Sequence, residues 1–288
     1  MALLRHFLNQ TLQKTGIRPD PLAPSSVWTI RSAALKRKVR VDLYLPPSHK
    51  LFLQEGRKFP VVFFNDGQDL HAMRFKAILS HLVLRRQIGP VLAVGFHAGN
   101  RMQEYGVMHH PDYKNRGNRA EDYARFIVEE FLPRLKKDFP IETSPEHHAF
   151  AGFSLGGLSA FDLVWNHPHL FGKVGVFSGA LWWRSKPFTQ EEPDANRILH
   201  HLVRTGEKRP GLKFWFQTGS EDETMDRNKN GVIDAIDDTQ DLISELKEIG
   251  YAEEDIAYVE VEGGRHEPET WGRVMPEFLK WAFSDGVT

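Results

Sequence analysis

The chain contains no cysteine, which excludes disulfides and thiolate metal sites. It has no surplus of either charge. Thirty-seven Lys and Arg stand against 38 Asp and Glu, for a net charge of −1. The basic footprint that nucleic acid or an anionic membrane surface would call for is therefore missing. No apolar run approaches the ~18 residues that a spanning helix requires. Met1 to Gln10 carry only a broken apolar stretch, interrupted by Arg5 and His6, too short and too polar for a secretory signal. Together these absences predict a soluble, cytoplasmic protein with no nucleic-acid or membrane partner.

What is present suits a buried core. The 288 residues are 41 % hydrophobic and include seven Trp and 20 Phe. That length holds one large α/β domain or two small ones, and no repeat or long linker divides it. Pro19, Pro21 and Pro24 separate a short N-terminal helix, within an extension over 1–24, from the first strand. Val27 to Ile30 and Val39 to Leu45 predict an antiparallel pair. Pro60 to Phe64 is a continuous apolar run of the kind buried on both faces, and Val91 to Phe96 is another. Helices are expected at Phe75 to Arg86, Glu121 to Leu132, Leu158 to Trp165, Thr239 to Ile249 and Trp271 to Trp281. Pro133 should kink or end the second of these. Strands are expected at His147 to Ala151, Val174 to Phe177, Lys213 to Gln217 and Ile256 to Val261. This alternation predicts a single α/β domain over 1–288, with a mostly parallel central sheet and helices on both faces.

Gly152-Phe153-Ser154-Leu155-Gly156 falls between a predicted strand and a predicted helix, the context of the nucleophile elbow of the α/β-hydrolase fold. Gly152 and Gly156 let strand and helix approach, and Ser154 is left exposed at the apex. A serine hydroxyl needs a histidine base, and the base needs a carboxylate to fix its tautomer. In this fold the order is Ser, acid, His. The loop after Lys213 to Gly219 reads Ser220-Glu221-Asp222-Glu223. Asp222 is the expected acid, with Glu221 the competitor. The last predicted strand runs into Glu262-Gly263-Gly264-Arg265-His266, and His266 is the expected base. An oxyanion hole needs two backbone donors. The N–H of Leu155 is one candidate. The N–H of Gln68, in the loop Asn65-Asp66-Gly67-Gln68, is the other, with Gly67 expected to let the backbone turn toward substrate.

The chain resembles the esterase D and enterochelin-esterase-like group of α/β-hydrolases. The resemblance rests on Asn65 to Asp69, Arg101 with Glu104-Tyr105, Glu130 to Pro133 and Ala151 to Leu158. It continues through His167-Pro168 with Phe171-Gly172, Ser178 with Trp182-Trp183, and Gly263 to His266. It implies Ser154, Asp222 and His266 as the triad, a serine carboxylic-ester hydrolase working through an acyl-enzyme, and a small-molecule ester substrate. Acyltransferases of the same group would share every residue named. A non-catalytic, calcium-stabilised binding protein on this fold is the alternative from another class, and an intact triad argues against it.

A second motif spans residues 226–237. Asp226, Asn228, Asn230, Asp234 and Asp237 fall at positions 1, 3, 5, 9 and 12 of a calcium loop, with Gly231 at 6 and the Val232 carbonyl at 7. Asp rather than Glu at position 12 leaves Mg2+ as an alternative occupant. Glu221, Asp222, Glu223, Asp226, Asp234, Asp237, Asp238 and Asp241 crowd this region and would repel one another without a cation. A structural ion is expected and no organic cofactor. Arg101, Tyr105, Trp182 and Trp183 are candidates for the substrate rim, and Arg184 to Pro210 for a partial lid.

Overall fold

The structure, a computed structural model, describes residues 25–47 and 49–284. The expected N-terminal helix and the 1–24 extension lie outside the described residues. Eight strands form one sheet: β1 (Ser25–Ser32), β2 (Arg37–Tyr44), β3 (Val61–Phe64), β4 (Leu92–Phe96), β5 (His148–Phe153), β6 (Lys173–Phe177), β7 (Lys213–Glu221) and β8 (Ile256–Arg265). Their order is β1-β2-β4-β3-β5-β6-β7-β8. The two joints made by β2 are antiparallel and the rest are parallel. This is the mostly parallel α/β-hydrolase sheet that the strand–helix alternation predicts.

Burial explains the strands. In β2, Val39, Val41 and Leu43 are buried while Lys38 and Arg40 are exposed, so this strand near the edge has one wet face. In β3, β4 and β5 every residue is buried, because helices cover both faces. The period-2 alternation then sorts aromatic side chains into two cores. Phe63, Phe96, Phe131 and Phe150 pack on one face. Phe64, Phe75, Phe153, Phe177, Trp215 and Phe278 pack on the other.

The helices are α1 (His49–Gln54), α2 (Phe75–Leu84), the turn α3 (Arg101–Glu104), α4 (Ala120–Arg125), α5 (Leu132–Asp138), α6 (Leu155–Asn166), α7 (Ile198–Arg204), α8 (Asp234–Glu248) and α9 (Pro268–Phe283). None among the described residues is long and apolar enough to cross a membrane. Pro133 does not end its helix. A π-helical turn over Phe126–Phe131 joins α4 to α5, and the Leu132 N–H reaches back to the Ile127 carbonyl. Proline lacks an N–H and crowds the carbonyl four residues before it, and the widened turn relieves both problems. The Arg184 to Pro210 insertion contains α7, which packs against α8 through Arg197–Asp238, Arg197–Asp241 and Arg204–Glu245. That half of the insertion is a packed layer rather than a lid.

Candidate active site

Four segments meet where parallel strands end, the edge at which α/β sheets bind ligands. They are the loop after β3, the β5–α6 turn, the loop after β7 and the end of β8. Ser154 occupies the β5–α6 turn with φ 55 and ψ −123, a conformation that is costly for a residue with a Cβ. The turn closes only because the flanking residues are glycine. A Cβ on Gly152 would lie 2.1 Å from the Gly156 carbonyl oxygen, and one on Gly156 would lie 2.5 Å from Asp66 Oδ2. The Ser154 N–H donates to the Phe177 carbonyl at 2.9 Å, and its carbonyl accepts from Ala180 at 3.0 Å. The backbone of Ser154 is thereby fixed to the end of β6. The N–H groups of Leu155 and Gln68 have no acceptor among the described residues.

A buried polar network braces the elbow from behind. Asp66 is fully buried, and Arg101 grips it with two bonds of 2.8 Å. Arg101 Nη2 also donates to the carbonyl of Phe153, the residue before Ser154, at 3.1 Å. Asn65 donates to the Gly156 carbonyl and accepts from the Tyr123 hydroxyl, and the Asp66 N–H donates to the Tyr105 hydroxyl. Asp66, rather than Gly67, has the left-handed backbone, with φ 56 and ψ 45. Gly67 is required for a different reason from the one the sequence suggests: a Cβ there would sit 2.4 Å from the Gly95 backbone of β4.

Asp222 and His266 are brought to the same edge. Glu221, the competing acid, is exposed and paired with Arg265 at 3.1 Å. Asp222 turns inward, and its Oδ2 accepts the Gly219 N–H at 2.9 Å. A Cβ on Gly219 would clash with the Gly264 carbonyl at 2.3 Å, so β7 and β8 touch there backbone to backbone. The register shifts at this point: Gly219 faces Val261 but Glu221 faces Arg265. Glu262 to Gly264 therefore belong to a bulge within β8 rather than to a loop after it, and the bulge re-aims the residues that follow.

Burial raises the Asp222 pKa, while the Gly219 N–H, the Ser178 hydroxyl and the charge of His266 lower it. Burial pushes His266 below its ordinary 6.5; the Asp222 charge opposes this and the Arg101 charge adds to it. The hydrogen bonds of a closed triad are not made. Asp222 Oδ1 is buried without a hydrogen-bond partner, and His266 has no hydrogen bond to a described residue. Such bonds commonly tighten only around bound substrate.

The expected rim divides. Arg101 and Trp182 reach the surface, their exposures being 34 % for the side chain and 40 %. Tyr105 and Trp183 are fully buried and do not form a rim. Tyr105 serves the brace behind the elbow, and Trp183 packs beside Gly117. The Arg116 guanidinium lies over both indoles at 5.3 and 5.0 Å. Two residues that sequence reasoning did not assign to a role also bear on the site: Ser178 and Trp271. Each is buried, and their contacts are between distant parts of the chain.

In the 226–237 loop, Asp226 accepts the N–H groups of Asn230 and Gly231 at 3.1 and 3.0 Å. Asn228 and Asn230 both reach Asp237 Oδ2, at 2.9 and 2.8 Å. Asp234 instead accepts the Arg227 N–H at 2.8 Å and faces its guanidinium at 3.3 Å. Part of the acid crowd is relieved within the protein. Arg227 pairs with Asp194, Asp234 and Asp238, and Arg197 pairs with Asp238 and Asp241. Asp226 and Asp237, two of the expected ligands, take no part in these ion pairs. Among the described residues no group of three His, Cys, Asp or Glu side chains could hold a metal, so an ion in this loop would depend on Asn and carbonyl oxygens as well.

A family model described as "Putative esterase" matches residues 32–282. An uncharacterized protein of Bacillus subtilis, YbbA, is 23 % identical over 248 residues, covering 85 % of this chain and 92 % of that protein. Iron(III) enterobactin esterase of Escherichia coli K12 is 24 % identical over 258 residues, covering 88 % of this chain. This chain spans only 55 % of that relative's length. The solved structure of a ferulic acid esterase superposes with a TM-score of 0.69 at 19 % identity, covering 91 % of this chain and 98 % of that one. Of the two groups in the resemblance drawn from sequence, the enterochelin-esterase-like side is the one represented here.

Proposed function

The chain belongs to the putative esterase family and is a carboxylesterase-type hydrolase, and from that premise we propose that Ser154, His266 and Asp222 cleave carboxylic esters through an acyl-enzyme. The Ser154 hydroxyl attacks the ester carbonyl while His266 takes its proton. Asp222, held by the Gly219 N–H, orients His266 and stabilises the imidazolium. The oxyanion forms between the Leu155 and Gln68 N–H groups, the first of which opens a helix whose dipole favours negative charge. His266 gives the proton to the departing alcohol. Water then attacks the acyl group through the same base and restores Ser154.

The observation that carries this reading is the strained elbow at Ser154, set at the sheet edge where Asp222 and His266 act on each other electrostatically. Arg101 and Trp182, the two expected rim residues that reach the surface, would border a small ester there. Trp182 follows Ala180, whose N–H is bonded to Ser154. A serine-reactive fluorophosphonate should label the wild type. Ser154→Ala should abolish labelling and lower aryl-ester turnover by several orders of magnitude. Persistent labelling of that variant, or more than about a tenth of the activity, would place the nucleophile elsewhere.

The 226–237 loop is proposed to hold one Ca2+, with Mg2+ as a weaker occupant. Asp226, Asn228, Asn230 and Asp237 already converge through the bonds described above, and the Val232 carbonyl would complete the set. Asp234, engaged by Arg227, would act through water. An ion bound only to the folded chain raises the melting temperature with the logarithm of its concentration above Kd. A melting temperature unchanged between chelator and millimolar calcium, with no heat in titration calorimetry, would refute the site.

A further inference from the structure

Ser178 stands at the end of β6, buried, with φ 45. A glycine would adopt that backbone without strain, so the serine is present at a cost of the kind found at functional sites. Its N–H is bonded to the Gln217 carbonyl at 2.8 Å, which ties it to the strand leading to Asp222. Its Oγ accepts the Trp271 indole N–H at 2.9 Å in a buried bond. The indole N–H occupies one of the two lone pairs of the hydroxyl and leaves its proton free to donate.

The Asp222 carboxylate is the acceptor on which this hydroxyl acts, although no hydrogen bond joins the two here. Asp222 Oδ1 is buried without a hydrogen-bond partner, and a buried carboxylate oxygen in that state is costly. The Ser178 hydroxyl is among the groups that draw the Asp222 pKa down. Trp271 in turn touches both of the other groups that matter. It meets His266 edge-on, with ring centroids 5.5 Å apart at 80°. It also stacks on Phe153, the residue before the nucleophile, at 5.0 Å and 24°.

We propose that Ser178 and Trp271 are positioning residues: the indole N–H aims the Ser178 hydroxyl so that it donates to the Asp222 carboxylate, while the same indole, packed edge to face with it, holds the His266 ring. One rigid side chain thereby sets the acid and the base against each other. The inference rests on the triad reading given above. The ionisable groups acting on the pair are Asp222 and His266 themselves and Arg101.

The test uses Ser178→Ala, which removes the hydroxyl, and Trp271→Phe, which keeps a ring against His266 and Phe153 but removes the N–H. A carboxylate that loses a donor holds its negative charge less easily, so the Asp222–His266 pair binds a proton more tightly. The acid limb of kcat/KM should move to higher pH by about half a unit to one unit in both variants. kcat should fall about tenfold and KM stay within about twofold. A lesion of packing alone would lower the melting temperature without moving the limb. An acid limb that stays in place in these variants overturns the proposal, whatever happens to kcat. Fluorophosphonate labelling of Ser154→Ala in the same experiment separates the two levels. If labelling is lost there while the limb of Ser178→Ala and Trp271→Phe is unmoved, the triad reading stands and the positioning role falls.

Discussion

Asp162 offers a prediction whose size follows from its surroundings. It lies on helix α6, two turns beyond Ser154, and is 3 % exposed. It accepts the Met108 N–H at 2.9 Å and the Asn166 amide at 3.0 Å, and no cation is among the groups that act on it. Burial therefore dominates, and the pKa is pushed up from 3.8 to about 7. The folded protein holds this proton more tightly than the unfolded chain does. The contribution to stability is complete below the unfolded value of 3.8 and is lost as pH rises through about 7. About three pH units at about 1.4 kcal/mol each make the whole effect roughly 4 kcal/mol, of which somewhat more than half disappears between pH 5 and pH 8.

Asp162→Asn removes the ionisation. The new amide can still accept from Met108, but its NH2 faces the Asn166 amide, and one lost hydrogen bond costs about 1 kcal/mol at every pH. The diagnostic is thus the slope. Relative to wild type, the variant should gain about 2.5 kcal/mol between pH 5 and pH 8, or about 5 °C in melting temperature for a chain of this size. Melts followed by circular dichroism at one scan rate, in matched buffers across that range, measure it. A melting-temperature gap that stays constant from pH 5 to pH 8 would refute the argument.

Asp222→Asn should lower kcat by three to four orders of magnitude, whereas Glu221→Gln, whose parent side chain is exposed and paired with Arg265, should stay within about twofold of wild type. Steady-state kinetics on an aryl ester compares them, and the reverse pattern would move the acid to Glu221. The His266 base must be neutral, so kcat/KM should rise with pH. Because burial and the Arg101 charge depress its pKa, the midpoint of that rise should fall below 6.5; a pH–rate profile centred above 6.5 would contradict the geometry of the site.

The strands and most helices were legible because their signals are local. The apolar run at Val61 to Phe64 and the alternation of Val39, Val41 and Leu43 follow from burial of two faces or one. The elbow was legible because its glycines lie within two residues of Ser154, so the steric demand is written at fixed spacing. Position after successive strands favoured Asp222 over Glu221, but the sequence left both in play. The opposite orientations of their side chains come from the β7–β8 bulge and the backbone contact of Gly219 with Gly264. Pro133 does not end its helix, because its penalty assumes a regular α-helix and a π turn removes that assumption. Tyr105 and Trp183 misled because an aromatic residue in a polar segment can face inward as readily as outward.

The sequence by itself determined the parallel sheet and the strained serine, and it set the chain order Ser154, Asp222, His266 on which the proposed triad rests. These depend on patterns of burial and on sterics between near neighbours. Only the tertiary structure decided which polar groups sit behind them. Arg101 grips Asp66 across 35 residues, the Met108 N–H reaches Asp162 across 54, and Trp271 reaches Ser178 across 93. Such contacts leave no periodic trace, because a buried donor needs only one acceptor within hydrogen-bond reach, and the folding of the sheet, not the spacing of the residues, brings that acceptor near.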